Sequence, residues 1–325
     1  MTKQVKSKPK KNKIIIKGKD YPIDNSAFFR LTSKHMLAKL LFCTIDDIQE
    51  VIADPERYHE FEDNTNPEKP RPIQKPKPKL DALQSRIASL LCRISLPDYL
   101  HSGRKNHSHV SNATYHIDNA RGQVPVLTTD ITKFFPSTTK QKVYNFFRRA
   151  LQCSDCVANI LADLCTCRDF VPTGSRISMP IAFWANYPMF SELEQLSQRH
   201  DVKMSVYVDD LTFSGASVNK LFCSTVKKII ERHGLLPHPT KTKIYAKTAV
   251  KVITGVALIK NDIALTNEQH FKLSQDIESW KAVKDSPMVK ESKTFKKIIG
   301  RLNSLSIIDD RYKDKARSIR ASTHA

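Results

Sequence analysis

Residues 204–215 read MSVYVDDLTFSG, in which two β-branched and aromatic runs flank a pair of acids. The runs predict two strands, and Asp209-Asp210 marks a tight turn between them. Adjacent carboxylates repel each other, and a bound divalent cation relieves that repulsion. A solvated turn is the alternative interpretation, and the pattern alone favours neither.

A third acid, Asp130, ends the apolar stretch 124–129, which predicts another strand. Two strands placed side by side would bring Asp130 next to Asp209. Carboxylate oxygens are ligands that Mg²⁺ prefers, and two such ions can clamp the attacking and leaving oxygens of a phosphoryl transfer. If the acids bind metal, the sequence predicts the centre of a polymerase or a nuclease.

The composition indicates a globular protein that binds a polyanion. The chain has 325 residues, 40% of them hydrophobic, and 53 basic residues against 33 acidic ones give a net charge of +20. That charge makes nucleic acid the first candidate partner. No apolar run has the length of a membrane span, and the N-terminus lacks the apolar region of a secretory signal. Seven cysteines without a regular framework favour the reducing cytoplasm, and free core thiols are favoured over a zinc site at Cys153/Cys156 and Cys165/Cys167.

Hydrophobic periodicity and punctuation predict an α+β fold rather than a doubly wound sheet. The Lys-rich residues 1–24 form a basic arm, either a solubilising tail or a phosphate-binding segment. Proline density in 67–79 predicts an edge hairpin or an extended loop. Ser33, Thr44 and Thr266 are predicted helix caps. Helices are predicted within 26–62 and 80–94, at about 139–150 and 156–167, as one long helix over 181–197, at 218–233 and from 266 to about 318; strands are predicted in 243–258.

Five ordered motifs resemble those of bacterial retron reverse transcriptases. TTDITKFFPS (128–137), VPTGSRIS (171–178) and YVDD (207–210) are similar to three polymerase boxes, and NATYH (112–116) and ITG (253–255) to two retron elements. The resemblance implies a right-hand polymerase fold with fingers and part of the palm over 25–123, the main palm over 124–258 and a thumb over 259–325.

The resemblance also implies roles for individual residues. Mg²⁺, as two ions, is assigned to Asp130, Asp209 and Asp210 with the Ile131 carbonyl. The dNTP is assigned to Arg71, Phe135, Gly174 and Lys241, the primer and template to Tyr207 and Ser178, and RNA recognition to Asn112, His116, Thr254 and Gly255. Phe135 would be a steric gate against the ribose 2′-hydroxyl. The alternatives are a core phenylalanine at 135, a surface lysine at 241 and a structural histidine at 116.

The activity implied is reverse transcription of a cognate structured non-coding RNA into a branched, RNA-linked single-stranded DNA. The family's setting is antiphage defence beside a separate effector protein, without a membrane. A non-retron defence reverse transcriptase with different priming is one alternative, and a catalytically silent RNA-binding scaffold is another. The motifs depart from the family at Thr173, Ser175-Arg176, Val208 and Ile253, which stand for Gln, Ala-Pro, Ala and Val.

Overall fold

The computed structural model describes residues 20–65, 70–117, 123–260, 262–286 and 289–322. Residues 1–19, most of the predicted basic arm, therefore lie outside the described residues. The helices are α1 (Lys34–Leu41), α2 (Ile45–Ala53), α3 (Pro78–Leu91), α4 (His109–Thr114), α5 (Phe134–Ser137), α6 (Lys140–Asn145), α7 (Asp155–Cys165), α8 (Ser178–Ala185), α9 (Tyr187–Arg199), α10 (Lys220–Arg232), α11 (Asn267–Lys281), α12 (Lys293–Leu305) and α13 (Arg311–Ser322), with a π-helical turn at Phe146–Ala150.

The strands are β1 (Tyr58–Asp63), β2 (Arg71–Pro76), β3 (Val126–Asp130), β4 (Lys203–Tyr207), β5 (Asp210–Ser214), β6 (Lys243–Tyr245), β7 (Lys251–Ile253), β8 (Val256–Ile259) and β9 (Asp262–Ala264). In the described ranges they form an antiparallel β1–β2 pair, a sheet of order β4-β5-β3-β6 and a sheet of order β7-β8-β9. The mixture of helices and antiparallel sheets confirms the predicted α+β class.

The predicted helix caps are confirmed. The hydroxyls of Ser33, Thr44 and Thr266 each accept a hydrogen bond from the backbone N–H three residues on. Thr266 and Gln269 form the reciprocal capping box, because the Thr266 N–H also donates to Gln269 Oε1 at 2.9 Å. These local signals are readable from sequence because each is complete within four residues.

The prediction of helix through residue 62 is wrong at its C-terminal end. Helix α2 stops at Ala53, before Asp54-Pro55, because the residue preceding a proline disfavours the helical region. Residues Tyr58–Asp63 then form β1 and pair with β2 in the register Asp63↔Arg71. The edge hairpin predicted for the proline-rich stretch is confirmed over β2, and residues 66–69 lie outside the described residues.

The single helix predicted over 181–197 is two helices, α8 and α9, separated at Asn186. Pro188 has no N–H to donate to the Trp184 carbonyl, and its ring crowds that position. The Asn186 side chain donates to Thr138 Oγ1 at 2.8 Å, which holds the break in place.

The described chain divides into two compact units. The first contains the residues up to Leu96 and Lys133–Pro188, and the second contains Pro97–Thr132 and the chain from Met189 onward. The second unit holds the β4-β5-β3-β6 and β7-β8-β9 sheets, and a hydrophobic cluster there includes Val110, Ala113, Val126, Ile253 and Val256. The boundaries given above for fingers, palm and thumb stay a prediction. None of the described helices is both long and apolar enough to span a membrane.

Candidate active site

The predicted hairpin is present, and its turn is strained. Tyr207 pairs with Asp210, so Val208 and Asp209 are the two turn residues. Val208 has φ +61°, a left-handed conformation that favours glycine and costs a β-branched residue about 1–3 kcal/mol. The Val208 N–H donates to the Ser102 hydroxyl oxygen at 2.8 Å, so Ser102 supports the strained turn.

The three predicted acids lie at one end of the β4-β5-β3-β6 sheet. Strand β3 pairs with β5 in a register that sets Asp130 directly opposite Asp210. The Ile131 N–H donates to the Asp209 carbonyl at 3.0 Å, which places the turn beside the end of β3. Asp130 is buried, Asp209 and Asp210 are half-buried, and Ile131 is fully buried. The structure therefore brings together the acids that the sequence set 79 and 80 positions apart.

Negative charge accumulates at this point. Burial, followed by the charges of Asp209 and Asp130, raises the pKa of Asp210 to about 7. A nearby cation would offset the charges of Asp209 and Asp130 and so favour the ionised form of Asp210. Hard carboxylate oxygens are also the ligand type that suits Mg²⁺, so the donor set fits the predicted ions in kind. Among the side chains that the structure describes, however, no group of three His, Cys, Asp or Glu residues is close enough to hold a metal ion without adjustment.

Lys241 provides the positive charge in this arrangement. Its Nζ lies 2.8 Å from Asp130 Oδ1. Burial lowers the pKa of Lys241, but the hydrogen bond to Asp130 and the nearby acids outweigh it and raise that pKa above its ordinary value. The neighbouring Thr242 links the Lys241 segment to β3, because its hydroxyl lies 2.8 Å from Thr129 Oγ1. Lys241 thus contacts Asp130 and is not an unattached surface lysine, although its side chain is 54% exposed.

Tyr207, the predicted primer contact, is half-buried at the end of β4, next to the turn.

The other predicted nucleotide and template residues lie in the first unit. Arg71 is exposed at the start of β2, and the segment at Thr173 joins β2 because the Gln74 N–H donates to the Thr173 carbonyl at 2.7 Å. Gly174 follows with φ +108°, and a Cβ there would lie 2.7 Å from Ile73 Cγ2. Thr173 and Ser175-Arg176, where the motif at 171–178 departs from the family, thus lie in a segment that is hydrogen-bonded to the hairpin carrying Arg71.

Ser178 and Phe135 are less accessible to a template or a nucleotide than Arg71 is. Ser178 is buried, and its hydroxyl donates to the Pro172 carbonyl at 2.6 Å. Phe135 is half-buried with its ring 5.7 Å from that of Phe134.

The two retron-type elements lie together in the second unit, largely inside it. Asn112 is fully buried in α4, and His116 follows that helix and is 6% exposed. The Asn112 amide donates to Thr254 Oγ1 at 3.4 Å, and Thr254 donates to the His109 carbonyl at 2.8 Å. Thr254 and Gly255 have φ +45° and +79° and form the turn between β7 and β8; Gly255 is exposed.

His116 connects the strands on either side of the acidic turn. Its Nδ1 lies 2.7 Å from Ser214 Oγ on β5, and its Nε2 lies 2.7 Å from Ser205 Oγ on β4. Sequence reasoning missed Ser102, Ser205 and Ser214. Isolated serines in or near strands carry no pattern that distinguishes a partnered hydroxyl from a solvated one.

We expect acid to destabilise the second unit through His116. Burial, followed by the electrostatic effects of Lys203 and His101, lowers the pKa of His116 to about 3 from the ordinary histidine value of 6.5. The unfolded chain therefore binds a proton that the folded chain excludes, and the free energy of unfolding falls as pH drops from 6.5 towards 3. The loss is about 1.4 kcal/mol per pH unit for this histidine.

Urea denaturation between pH 7 and 4.5 measures this effect. His116→Gln should flatten the pH dependence, and His107→Gln, a change at a half-exposed histidine nearby, should not. An unchanged slope in His116→Gln would contradict the assignment.

The basic C-terminal helices are partly neutralised from within. Asp276 of α11 is 4% exposed and pairs with Lys297 at 2.9 Å and Arg301 at 2.5 Å on α12. Arg311 pairs with Asp309, and Arg317 with Asp314. Lys293, Lys313 and Lys315 are exposed. The C-terminal charge thus serves both internal pairing and an outer basic surface.

The cysteines are free thiols. Cys153, Cys165 and Cys167 are buried, whereas Cys156 is exposed.

Comparison with known proteins identifies related chains of one kind. No protein-family model matches. Five curated proteins match at 24–30% identity, and all are retron reverse transcriptases. Retron Ec48 reverse transcriptase of Escherichia coli is 24% identical over 310 residues, which is 90% of this chain and 76% of that protein. The resemblance to retron reverse transcriptases is therefore confirmed.

Two further relatives match over shorter stretches. Retron Ec86 reverse transcriptase of Escherichia coli is 25% identical over 210 residues, 64% of each chain. Retron Se72 reverse transcriptase of Salmonella heidelberg (strain 579083-10) is 30% identical over 163 residues, 48% of this chain and 41% of that protein. The chain thus spans less than two thirds of the length of these two relatives.

Proposed function

We propose that this protein is an RNA-directed DNA polymerase of the retron type. The observation that carries the proposal is the Asp130–Asp210 register, with Asp209 in the adjoining turn, in a chain similar to retron reverse transcriptases. The β4–β5 hairpin and β3 would then belong to the palm of a right-hand polymerase. The fingers would precede the palm, and the basic C-terminal helices would form the thumb.

The proposed reaction joins a primer hydroxyl to the α-phosphate of a dNTP and releases pyrophosphate. Two Mg²⁺ ions held by Asp130, Asp209, Asp210 and the Ile131 carbonyl would neutralise charge on the attacking and leaving oxygens. Most of the remaining catalysis would be positioning of the reactants.

Other side chains would serve the same reaction. Lys241 has a raised pKa and stays protonated beside Asp130, so it can donate a proton or a hydrogen bond to the leaving pyrophosphate. Arg71 suits the triphosphate because a guanidinium binds phosphate oxygens through a planar fork. Phe135 would exclude NTPs by contact with the 2′-hydroxyl, and Gly174, Ser178 and Tyr207 would shape the nucleotide, template and primer sites.

The proposed substrate is a cognate structured non-coding RNA that supplies both template and primer. A guanosine 2′-hydroxyl would start synthesis, so the product would be a single-stranded DNA branched from RNA. The net charge of +20 supports a nucleic-acid partner. The biological role we propose is antiphage defence in the cytoplasm together with a separate effector protein.

Two measurements test this function. Purified protein with a primed RNA template, Mg²⁺ and dNTPs should give DNA whose sequence follows the template; no template-directed product would overturn the proposal. Cells that express the protein with its flanking DNA should accumulate a small DNA that stays linked to RNA through a 2′-branch. Template-directed DNA without attached RNA would instead favour the non-retron alternative.

A further inference from the structure

The segment 99–116 of the second unit contacts the acidic hairpin along its length. The Val206 N–H donates to the Tyr99 carbonyl at 2.8 Å, and the His101 N–H donates to the Val206 carbonyl at 2.9 Å. These bonds form a parallel bridge at Leu100 on the outer edge of β4. The backbone of this segment therefore fixes the position of the strand that leads into Asp209.

Two side chains extend this contact to the rest of the hairpin. Ser102 accepts from the Val208 N–H, and His116 bonds to Ser205 on β4 and to Ser214 on β5. We call Ser102 and His116 the hairpin clamp. Ser102 bonds to the turn and His116 bonds to both strands, so the clamp holds the hairpin that carries the acids at three points.

The imidazole of His116 requires a donor at one of its hydrogen bonds and an acceptor at the other. A neutral imidazole has one N–H donor and one acceptor nitrogen, so one serine must accept a hydrogen bond and the other must donate one. Both distances are 2.7 Å, and the groups are shielded from water. Hydrogen bonds are stronger in such an interior than they are in water. Ser205 is 0% and Ser214 is 5% exposed. Rotation of either strand would break one of these bonds.

The hairpin clamp and the neighbouring Asn112 are too deeply buried to contact an RNA. Asn112 is 0%, His116 6% and Ser102 4% exposed. Asn112 instead bonds to Thr254, so the two retron-type elements contact each other. An RNA bound outside could reach Gly255, which is exposed, but it could not reach the clamp without unfolding it.

We propose that Ser102 and His116 are positioning residues for the catalytic hairpin rather than RNA contacts. This inference rests on the proposed function. The clamp holds Val208 in its unfavourable conformation and so sets the direction of the Asp209 and Asp210 carboxylates. The retron element at 112–116 thus acts on the rate of DNA synthesis from inside the protein.

The test separates synthesis from RNA recognition. DNA synthesis is measured as kcat and KM for dNTP on a generic primed template without retron RNA, and binding is measured as the Kd for the cognate RNA. Ser102→Ala and the pair Ser205→Ala/Ser214→Ala should lower kcat about 10- to 100-fold, because small misplacement of reacting groups has effects of that order. The Kd for RNA should stay unchanged.

A matched control removes a buried hydroxyl elsewhere in the same unit. Ser197 is 2% exposed, and its hydroxyl donates to the Leu193 carbonyl of its own helix. Ser197→Ala should keep kcat while it loses a similar buried hydrogen bond. Ser102→Thr, which retains the accepting oxygen, should restore kcat. Equal losses of kcat in Ser197→Ala and Ser102→Ala would show that the clamp variant loses activity only through general destabilisation, and would overturn the proposal.

A second change tests the mechanism itself. Glycine adopts φ +61° without strain, so Val208→Gly removes the need to hold the turn. Val208→Gly should recover a large part of the kcat that Ser102→Ala loses. Because glycine also removes the strain of the turn and so raises stability, kcat is compared under conditions where urea denaturation shows both proteins fully folded. Clamp variants that keep kcat but lose RNA affinity would overturn the positioning role and restore the recognition role. A wild-type protein that copies no template would overturn the proposed function, and the positioning role with it.

Discussion

Asp209→Asn combined with Asp210→Asn should abolish DNA synthesis, lowering kcat on a primed RNA template by at least about 10³-fold. The carboxylates are the proposed Mg²⁺ ligands, and an amide is a far weaker ligand for that ion. The same change should leave the free energy of unfolding unchanged or raise it at pH 7. Burial and the charges of Asp209 and Asp130 make the ionised Asp210 unfavourable, and asparagine removes that cost.

A loss of activity without a loss of stability distinguishes a functional site from a structural one. Thermal unfolding with and without Mg²⁺ gives a second readout, since Mg²⁺ should stabilise the wild type and have no effect on the double variant. Glu231→Gln, a change at an exposed acid of α10, should alter neither quantity. Retention of synthesis by the double variant would remove Asp209 and Asp210 from the catalytic site.

Gly174→Ala should have the second largest effect, lowering the free energy of unfolding by about 2–4 kcal/mol. Two costs combine at this position. The backbone has φ +108°, a region that alanine rarely adopts, and the added Cβ would lie 2.7 Å from Ile73 Cγ2. Relief of the clash must displace the Ile73 side chain on β2 or the segment at Thr173, and β2 carries Arg71.

Gly234→Ala is the matched control for Gly174→Ala. Gly234 also has a positive φ, +69°, but a Cβ there would meet no atom within 4 Å. That variant should lose only the conformational cost, about 1 kcal/mol. Urea denaturation compares the two, and equal losses would contradict the close approach of Gly174 to Ile73. If Arg71 binds the triphosphate, Gly174→Ala should also raise KM for dNTP by more than it lowers kcat.

Parts of the site were predictable because their signals are local. The hairpin follows from two short strands around adjacent acids. Its turn is Val208-Asp209, one residue before the predicted Asp209-Asp210, because Asp210 already pairs with Tyr207 as the first residue of β5. Asp130 was identified because it ends a strand. Its position opposite Asp210 required the assumption that the two strands are neighbours, and the register confirms that assumption.

Other features required contacts between distant parts of the chain. Residues Tyr58–Asp63 carry no decisive strand pattern, and their strand conformation depends on pairing with β2. The break at Asn186 was missed because the apolar periodicity continues across it, although Pro188 was a visible signal. The identity of the Ser102, Ser205 and Ser214 partners depends on separations of about 90 to 110 residues, which sequence periodicity does not record.

The sequence by itself determined the α+β class, the acids and their order, the helix caps and the resemblance to retron reverse transcriptases, because each of these is encoded in a few consecutive residues or in residue type. Tertiary structure decided which groups meet. It set Lys241 against Asp130, placed Asn112 and His116 inside the protein, and joined His116 to both strands of the acidic hairpin. Burial and hydrogen-bond partners arise only when distant segments pack, so the same histidine could be interpreted as an RNA contact from sequence and as part of the hairpin clamp from structure.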